Sequence, residues 1–527
     1  MKSALLFSIL AIAAGLGSGA ARADDASAPV PYDAWSLAAQ HGDKSALARL
    51  KAAADTGNPI AQLKLGDYYN NINNYSQSFV WYQKAADAGN TEAMDDLGEA
   101  YAFGQGVKKD SFKAFKLFQK AAAGGNASGM DDLGDAYSNG DGTNQDYVQA
   151  LHWYLQAAQK GNTAAENSVG DCYYYGQGVD KNFREAVNWY RKGAEGDDPD
   201  AQYNLGYAYD NGEGIQQDYS QAVYWYRRSA DANPGDAAAE NALGDCYYYG
   251  HGVNQDYPKS FTWYQKAAND GDSQGQFNLG YAYEHGEGVK QDFKQAVHWY
   301  FLAAQAGQAD AQNNLGQLYA DGNGVRQDYH EAFYWYKRAA ENGNVQAYNN
   351  LGDSYYYGQG IKQDYVLANQ WYQKAADTGD EDGEFNIGYA YQNGLGVTKD
   401  YDKAFYWLKK AAVAGQPQAE SHLGDCFYYG QGVEPDLVAA AYCYRMAAQN
   451  GDPYGEYSLG YAYEHGEGVN QDYVQAADWY RKAANDGYAD AATALSNLYA
   501  QGQGVARDLK ESQYWAAEAK KLQADNN

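Results

Sequence analysis

The sequence predicts an all-α solenoid built from about 12 to 13 helix-turn-helix repeats with a period of 36 residues. Two observations predict it. One glycine recurs at a fixed spacing along most of the chain, and aromatic residues follow each copy at fixed distances. The composition agrees, because 54 tyrosines and 59 glycines in 527 residues, with only 9 prolines, indicate one short unit copied many times.

The recurring glycine usually follows a leucine, with an aromatic residue three positions later and, in most repeats, a tryptophan nineteen positions later. All spacings are 36 residues, except for one of 32 at the start and one of 38 near the middle. The copies are Gly66, Gly98, Gly134, Gly170, Gly206, Gly244, Gly280, Gly316, Gly352, Gly388, Gly424 and Gly460, with Ser496 in the thirteenth position.

One unit shows why the pattern predicts a pair of helices. Apolar residues from Ala201 to Tyr209 recur at three- and four-residue spacing, which is typical of one face of a helix. Gly212 is expected to end that helix in the left-handed conformation. Asp218 is the predicted N-cap of the second helix, because its carboxylate can accept hydrogen bonds from free backbone N–H groups.

A glycine inside a helix lowers helix stability by roughly 0.5–1 kcal/mol relative to alanine, so its recurrence predicts a packing benefit. We expect the missing Cβ at Gly206 to let tryptophan and tyrosine side chains of a neighbouring second helix approach the backbone. Because one hairpin cannot bury that aromatic face alone, stacked repeats are predicted to share a continuous core.

The repeating unit reads Ala-x-x-x-Leu-Gly-x-x-Tyr-x-x-Gly-x-Gly-Val-x-x-Asp-x-x-x-Ala-x-x-Trp-Tyr-x-x-Ala-Ala and is nearly intact at 275–304 and 455–484. It resembles the Sel-one-like repeat family, which is related to the tetratricopeptide repeats. The resemblance covers roughly residues 60–519. It implies a right-handed α-solenoid of antiparallel helix pairs, with the first helices on the concave side, and adaptor or scaffold work in protein complexes.

The N-terminus is predicted to be a signal peptide spanning residues 1–23. Lys2 precedes a short apolar stretch from Ala4 to Leu16, and Ala21-Arg22-Ala23 forms a cleavage site. We therefore expect cleavage after Ala23 and a periplasmic or secreted protein. No later stretch approaches the roughly 18 apolar residues of a membrane span, so no membrane insertion is expected.

Further boundaries follow from departures from the repeat. Residues 24–59 are the predicted N-terminal capping segment, 60–519 the solenoid and 520–527 a polar C-terminal tail. The first unit lacks the Gly-x-Gly-Val turn. The connector 231–236 contains Pro234, which prevents helix continuation and predicts a kink or hinge.

The charge balance is 68 acidic against 39 basic residues, a net charge of −29. It excludes a nucleic-acid partner, which requires clustered basic residues. Two interpretations remain, namely solubility and preference for a basic protein partner.

Common nucleophile and metal motifs, such as Ser-x-x-Lys, Gly-x-Ser-x-Gly, His-Glu-x-x-His and Cys-x-x-Cys, do not occur in the sequence. We therefore predict a protein that is not an enzyme and needs no cofactor or metal. His285 and His465, next to glutamates in equivalent turns, are interpreted as solvated loop residues rather than metal ligands. Cys426 and Cys443 lie on the two helices of one hairpin, where a disulfide and two buried thiols are both open interpretations.

Two kinds of repeat alternate along the chain. Asp-Cys-Tyr-Tyr-Tyr at 171–175 and 245–249 interleaves with Tyr-Ala-Tyr at 207–209 and 281–283. This predicts a binding face of aromatic and acidic side chains on the first helices, formed by Tyr203, Tyr207, Phe277, Tyr281, Phe385, Tyr389, Tyr457, Tyr461, Asp171, Asp245, Asp353 and Asp425.

We expect the second tyrosine of each aromatic pair, for example Tyr281, to be exposed, and the tyrosine two residues later, Tyr283, to be buried. The alternative is that these tyrosines only fill space between helices. The sequence thus predicts a non-catalytic scaffold or adaptor of the bacterial cell envelope that binds a protein on a concave face lined by tyrosine and aspartate. An envelope glycan, peptidoglycan or polysaccharide, is the alternative ligand.

Overall fold

The computed structural model describes residues 31–233 and 235–525, and within these ranges the chain forms helices and no strands. The all-α prediction is therefore confirmed for the described chain. The predicted signal peptide at 1–23, Pro234 of the predicted hinge and the last two residues of the predicted tail lie outside the described residues.

The helices group into two compact units, described here as residues 31–218 and 219–525. The helices of the first unit are α1 Tyr32–Gln40, α2 Lys44–Asp55, α3 Pro59–Asn71, α4 Tyr75–Asp87, α5 Thr91–Phe103, α6 Ser111–Ala123, α7 Ala127–Asn139, α8 Tyr147–Gln159, α9 Thr163–Tyr175, α10 Phe183–Glu195 and α11 Pro199–Asn211.

The helices of the second unit are α12 Tyr219–Ala232, α13 Ala237–Tyr249, α14 Tyr257–Asn269, α15 Ser273–His285, α16 Phe293–Gln305, α17 Ala309–Asp321, α18 Tyr329–Glu341, α19 Val345–Tyr357, α20 Tyr365–Asp377, α21 Glu381–Asn393, α22 Tyr401–Ala414, α23 Pro417–Tyr429, α24 Leu437–Gln449, α25 Pro453–His465, α26 Tyr473–Asn485, α27 Ala489–Gln501 and α28 Leu509–Asp525.

Within each unit, each helix packs on the next along the chain, and first helices of neighbouring repeats also touch, as α13 and α15 do. From α3 onward, odd-numbered helices are the first and even-numbered helices the second of their repeat. Helices α1 and α2 precede the first repeat, and Leu50 and Ala54 of α2 share a buried cluster with Ala61 and Leu65 of α3. This end of the chain therefore packs on the first repeat.

The recurring helix glycine allows close contact with the second helix of the same repeat. A Cβ atom on Gly280 would lie only 2.7 Å from the ring of Tyr300, and one on Gly460 equally close to that of Tyr480. Both tyrosines are fully buried. The expectation of close approach is confirmed, but the contacting residue is this tyrosine and not the tryptophan that precedes it.

The turn after each first helix is held by glycine conformation and by backbone hydrogen bonds. Gly286 ends α15 in the left-handed region, with φ +74°. The second turn glycine, Gly288, also has positive φ, and a Cβ atom there would collide with the backbone carbonyl of Tyr257 in the preceding repeat. Asp292 then caps α16, and its own N–H donates to the carbonyl of Tyr283 at 2.9 Å. The predicted glycine and aspartate caps are confirmed.

Two connections between helices differ from those of the other repeats. Only residues 72–74 link α3 to α4, and Asn73 turns the chain with φ +57°. At the other, α12 ends at Ala232, and Asp236 caps α13 while accepting a hydrogen bond of 2.7 Å from the hydroxyl of Ser229. The kink at 231–236 stays a prediction.

Amide hydrogen bonds link the first helices of neighbouring repeats. Asn204 donates to Asn167 at 2.9 Å, and equivalent hydrogen bonds, which we call amide rungs, join Asn278 to Asn241 and Asn350 to Asn313 at 2.9 and 2.8 Å. Between α5 and α7 the same positions hold two acids, Asp95 and Asp132, whose side chains lie close enough to shift each other's pKa. We call this pair the acidic rung.

The predicted disulfide between Cys426 and Cys443 is not formed in the structure, where both residues are buried free thiols. Burial, with Asp425 and Cys443 close by, raises the pKa of Cys426 to about 12. Because the thiolate is the reactive form, this favours the alternative of two buried thiols. Formation of the bridge in an oxidising compartment stays a prediction.

Candidate functional site: two tyrosine and carboxylate clefts

Two equivalent clefts open on the first helices of the second unit. The Asp245 cleft lies among α13, α14 and α15 and encloses about 690 Å³ including its mouth. The Asp425 cleft lies among α23, α24 and α25, five repeats later, and encloses about 650 Å³. They are lined by residues that match at an offset of 180, including Tyr248, Tyr249, Phe277, Tyr281 and Glu287 in the first and Tyr428, Tyr429, Tyr457, Tyr461 and Glu467 in the second.

Each cleft has an aspartate held in place by the core. The hydroxyl of Tyr264 donates to Asp245 Oδ1 at 2.7 Å, and that of Tyr444 donates to Asp425 Oδ1 at 2.8 Å. These are the tyrosines that pack on the helix glycines, Gly244 in the first case. The close approach that requires glycine therefore also positions the aspartate.

Aromatic rings form the walls of the clefts. Tyr248 meets Tyr249 edge to face at 4.8 Å, and the first-turn residue Tyr257 of α14 packs against Tyr248 at 5.3 Å. In the other cleft the equivalent pair, Tyr428 and Tyr429, is 4.7 Å apart. The outer tyrosine of each pair is 62% and 64% exposed, so its ring is open to a partner.

A second carboxylate lies in the turn after the next first helix. Glu287 and Glu467 each place one oxygen, Oε2, in a buried position where it accepts no hydrogen bond of standard length and angle, although a tyrosine hydroxyl lies near each glutamate. Burial and this glutamate raise the pKa of the neighbouring tyrosine, Tyr248 in one cleft and Tyr428 in the other. Each cleft is therefore acidic, and none of the residues described as lining it is basic.

The Asp425 cleft differs from its copy in two details. Tyr454 donates to both oxygens of Asp425, at 3.0 and 2.9 Å, whereas Gln274 at the equivalent position bonds to Asn278. Burial raises the pKa of Asp425 to about 6, although hydrogen bonds from Tyr444 and Tyr454 oppose this shift. Asp425 therefore takes up its proton at a higher pH than an ordinary aspartate does.

The same hydrogen bond recurs in other repeats, including those of the remaining two aspartates of the predicted binding face. Tyr190 donates to Asp171 and Tyr372 donates to Asp353, each at 2.7 Å. Burial raises the pKa of Asp171 to about 6, again opposed by the tyrosine hydrogen bond. We call the equivalent site at Asp171 the Asp171 copy. Its glutamate, Glu213, already accepts a hydrogen bond at Oε2 from the hydroxyl of Tyr174 at 2.7 Å.

The order of the predicted binding residues along the sequence does not show which of them lie together in the structure. Two of the predicted aspartates each meet the aromatic pair of the following repeat, and Asp245 shares a cleft with Phe277 and Tyr281. Asp425 shares the other with Tyr457 and Tyr461. These residues therefore line two separate clefts on the first helices.

The predicted contrast in exposure is wrong. Among the second tyrosines of the pairs, Tyr207 is 39% exposed, but Tyr281, Tyr389 and Tyr461 are half-buried. Tyr281 is partly covered because it stacks on His285 with ring centroids 4.0 Å apart. The tyrosines two residues later are also half-buried rather than buried, namely Tyr209, Tyr283, Tyr391 and Tyr463.

Sequence reasoning missed the tyrosine pairs and the glutamates of the clefts. A signal for the glutamates exists, because glutamate occupies the middle of the Gly-x-Gly turn only at Glu213, Glu287 and Glu467, each time after Tyr-Ala-Tyr. The histidines of two of these turns stack on tyrosines, and no group of three metal-ligating side chains occurs among the described residues.

A model of the Sel1 repeat matches thirteen consecutive segments, 59–90, 91–126, 127–162, 163–198, 199–234, 237–272, 273–308, 309–344, 345–380, 382–415, 417–452, 453–488 and 489–523. The chain belongs to the Sel1 repeat family. The resemblance inferred from the repeating unit is therefore confirmed, and Sel1 repeat proteins generally mediate protein–protein interaction as non-catalytic scaffolds.

The solved structure of one similar protein agrees with this membership, and a second similar protein is also known. The chain is 34% identical to c5321, a protective antigen present in uropathogenic Escherichia coli strains, over 84% of this chain and 96% of that one, with a TM-score of 0.67. It is 38% identical to a Sel1 repeat protein from Oxalobacter formigenes over 47% of this chain and 99% of that one, with a TM-score of 0.43. In the described part of this Sel1 repeat protein, no helix has the length and apolar character to cross a membrane.

Proposed function

We propose that this protein is a non-catalytic scaffold of the bacterial cell envelope and that it binds a protein partner through the Asp245 and Asp425 clefts. The observation that supports the proposal is the recurrence of one cleft, with matching tyrosines and carboxylates, five repeats apart. Tyrosine suits such a surface because it offers a large rigid area and a polar tip at low entropic cost.

The envelope location rests on the N-terminal sequence and on the similar E. coli protein, which is a protective antigen. We expect the exported protein to begin at Asp24, because Ala21-Arg22-Ala23 fits a signal-peptidase site. Intact mass spectrometry of protein recovered from the periplasm or medium measures this directly. A mass that still includes residues 1–23 contradicts the expectation.

Partner binding is expected to depend on the clefts. The double variant Tyr281→Ala and Tyr461→Ala removes one wall from each cleft, and it should capture its partner from envelope extract at least tenfold less efficiently than the wild type. Since both rings are half-buried, we expect only about 1 kcal/mol of lost stability per site. Affinity capture with quantitative mass spectrometry and a thermal melt measure the two effects.

A matched control comes from tyrosines on second helices. Tyr224 and Tyr406 are exposed and do not line either cleft. Their replacement by alanine should leave capture unchanged. If the control variant loses the partner and the cleft variant keeps it, the recognition surface lies on the second helices instead.

A glycan is the second candidate ligand, and the exposed outer tyrosines Tyr249 and Tyr429 favour it, because sugar rings stack on aromatic faces. Co-sedimentation with purified peptidoglycan separates the candidates. Binding that is lost in Tyr249→Ala and Tyr429→Ala, without capture of any protein through the clefts, supports the glycan.

A further inference from the structure

We propose that each of the two clefts receives the cationic head of an arginine or lysine side chain from a basic segment of the partner. This inference rests on the proposed protein-binding function and names the chemistry that the clefts recognise.

The first argument is the unsatisfied acceptor in each cleft. A buried carboxylate oxygen without a hydrogen-bond donor is costly, because burial removes the water that would otherwise solvate it. Glu287 Oε2 and Glu467 Oε2 are buried at equivalent positions without a hydrogen bond of standard length and angle. A ligand with N–H donors would supply the missing hydrogen bond.

The second argument is charge. Asp245 lines the same cleft as Glu287, and Asp425 the same cleft as Glu467, while none of the residues described as lining either cleft is basic. A neutral donor would satisfy one oxygen but would bring no positive charge to a cleft that holds two carboxylates. A guanidinium or ammonium group supplies both donors and positive charge.

The third argument is the aromatic wall. Tyr248, Tyr249 and Tyr281 surround the entrance to Asp245, and tyrosine ring faces attract cations through their negative electrostatic potential. The apolar stem of an arginine or lysine would lie along these rings while its head reaches the carboxylates.

The Asp171 copy can be compared with the Asp245 and Asp425 clefts within the same protein. There the hydroxyl of Tyr174 donates to Glu213 Oε2 at 2.7 Å, whereas Tyr248 and Tyr428 lie near Glu287 and Glu467 without forming a hydrogen bond of standard length and angle to them. We therefore expect the Asp245 and Asp425 clefts to bind a cationic side chain more tightly than the Asp171 copy.

The test uses the full-length protein and a photoaffinity heptapeptide of glycine and serine with one central arginine flanked by benzoylphenylalanine. Crosslinked residues are mapped by mass spectrometry. We expect crosslinks to concentrate in the Asp245 and Asp425 clefts and to fall at least tenfold when citrulline, which keeps the shape but not the charge, replaces arginine.

The two clefts act as controls for each other. Glu467→Gln should reduce crosslinking at the Asp425 cleft at least tenfold and leave the Asp245 cleft unchanged, whereas Glu287→Gln should do the reverse. Glu341→Gln removes one exposed charge outside both clefts and should change neither. If Glu467→Gln lowers the melting temperature markedly, Tyr428→Phe together with Tyr429→Ala replaces it as the variant of that cleft.

Equal crosslinking by the arginine and citrulline peptides would overturn the proposal, as would crosslinks that persist in the combined Glu287→Gln and Glu467→Gln variant. In either case, loss of partner capture in the Tyr281→Ala and Tyr461→Ala variant would show that the clefts still bind a protein, through chemistry other than cation recognition. Failure of both experiments would remove the clefts as the recognition surface.

Discussion

Replacement of Gly280 by leucine is expected to lower the free energy of unfolding by more than about 2 kcal/mol, because overpacking of a tight core forces backbone shifts. A Cβ atom at this position would already lie 2.7 Å from the ring of Tyr300. That ring cannot move aside easily, since it is fully buried and its hydroxyl donates to Glu284 at 2.6 Å. Urea denaturation followed by circular dichroism measures the loss.

A control on the same helix separates overpacking from any general effect of leucine in α15. Gln274 is exposed, so Gln274→Leu should change stability by no more than about 0.5 kcal/mol. Indistinguishable unfolding curves for Gly280→Leu and wild type would mean that the helices separate at little cost, contrary to the packing described above.

The second large effect concerns the acidic rung. The double variant Asp95→Asn and Asp132→Asn restores the amide rung found between other repeats, and it should stabilise the protein by about 1–3 kcal/mol at pH 9. Burial raises the pKa of both aspartates; Asp132 adds to the rise at Asp95, whereas the interaction with Asp95 opposes the rise at Asp132. Asp96 and Asp131 lie beside this rung, and burial with neighbouring acids raises the pKa of each to about 8.

The direction of the pH dependence follows from these raised values. In the unfolded chain the aspartates ionise near pH 4, so between about pH 4 and pH 8 the folded state binds more protons. The favourable contribution of the protonated pairs is complete below pH 4 and is lost as the pH rises through the folded pKa values. The stability difference between variant and wild type should therefore be large at pH 9 and small at pH 5.

Denaturation at both pH values, with amide hydrogen exchange to report on α5 and α7, measures this difference. Glu195→Gln removes an exposed charge at the end of α10 and serves as the control, for which we expect no comparable pH-dependent gain. A variant that is less stable than wild type at pH 9 would show that the carboxylates are favourably solvated or paired.

Local structure was predictable from the sequence because its causes lie within a few residues. Gly286 ends its helix where the pattern placed a left-handed cap, and Asp292 begins the next one by accepting backbone N–H groups. The 36-residue period determined the repeat number and the family, since each unit needs its neighbours to bury an aromatic face.

Contacts between repeats were decided only by the tertiary structure. Spacing alone did not show that Tyr300, and not Trp299, packs on Gly280, because adjacent residues on a helix point about 100° apart and the rotation of the hairpin selects between them. Nor did it show that Asp245 shares a cleft with Tyr281 of the next repeat, or that Glu287 of the following turn completes it. Those contacts depend on the offset and rotation of one repeat relative to the next, which is set by side-chain packing across the whole interface and not by any single motif.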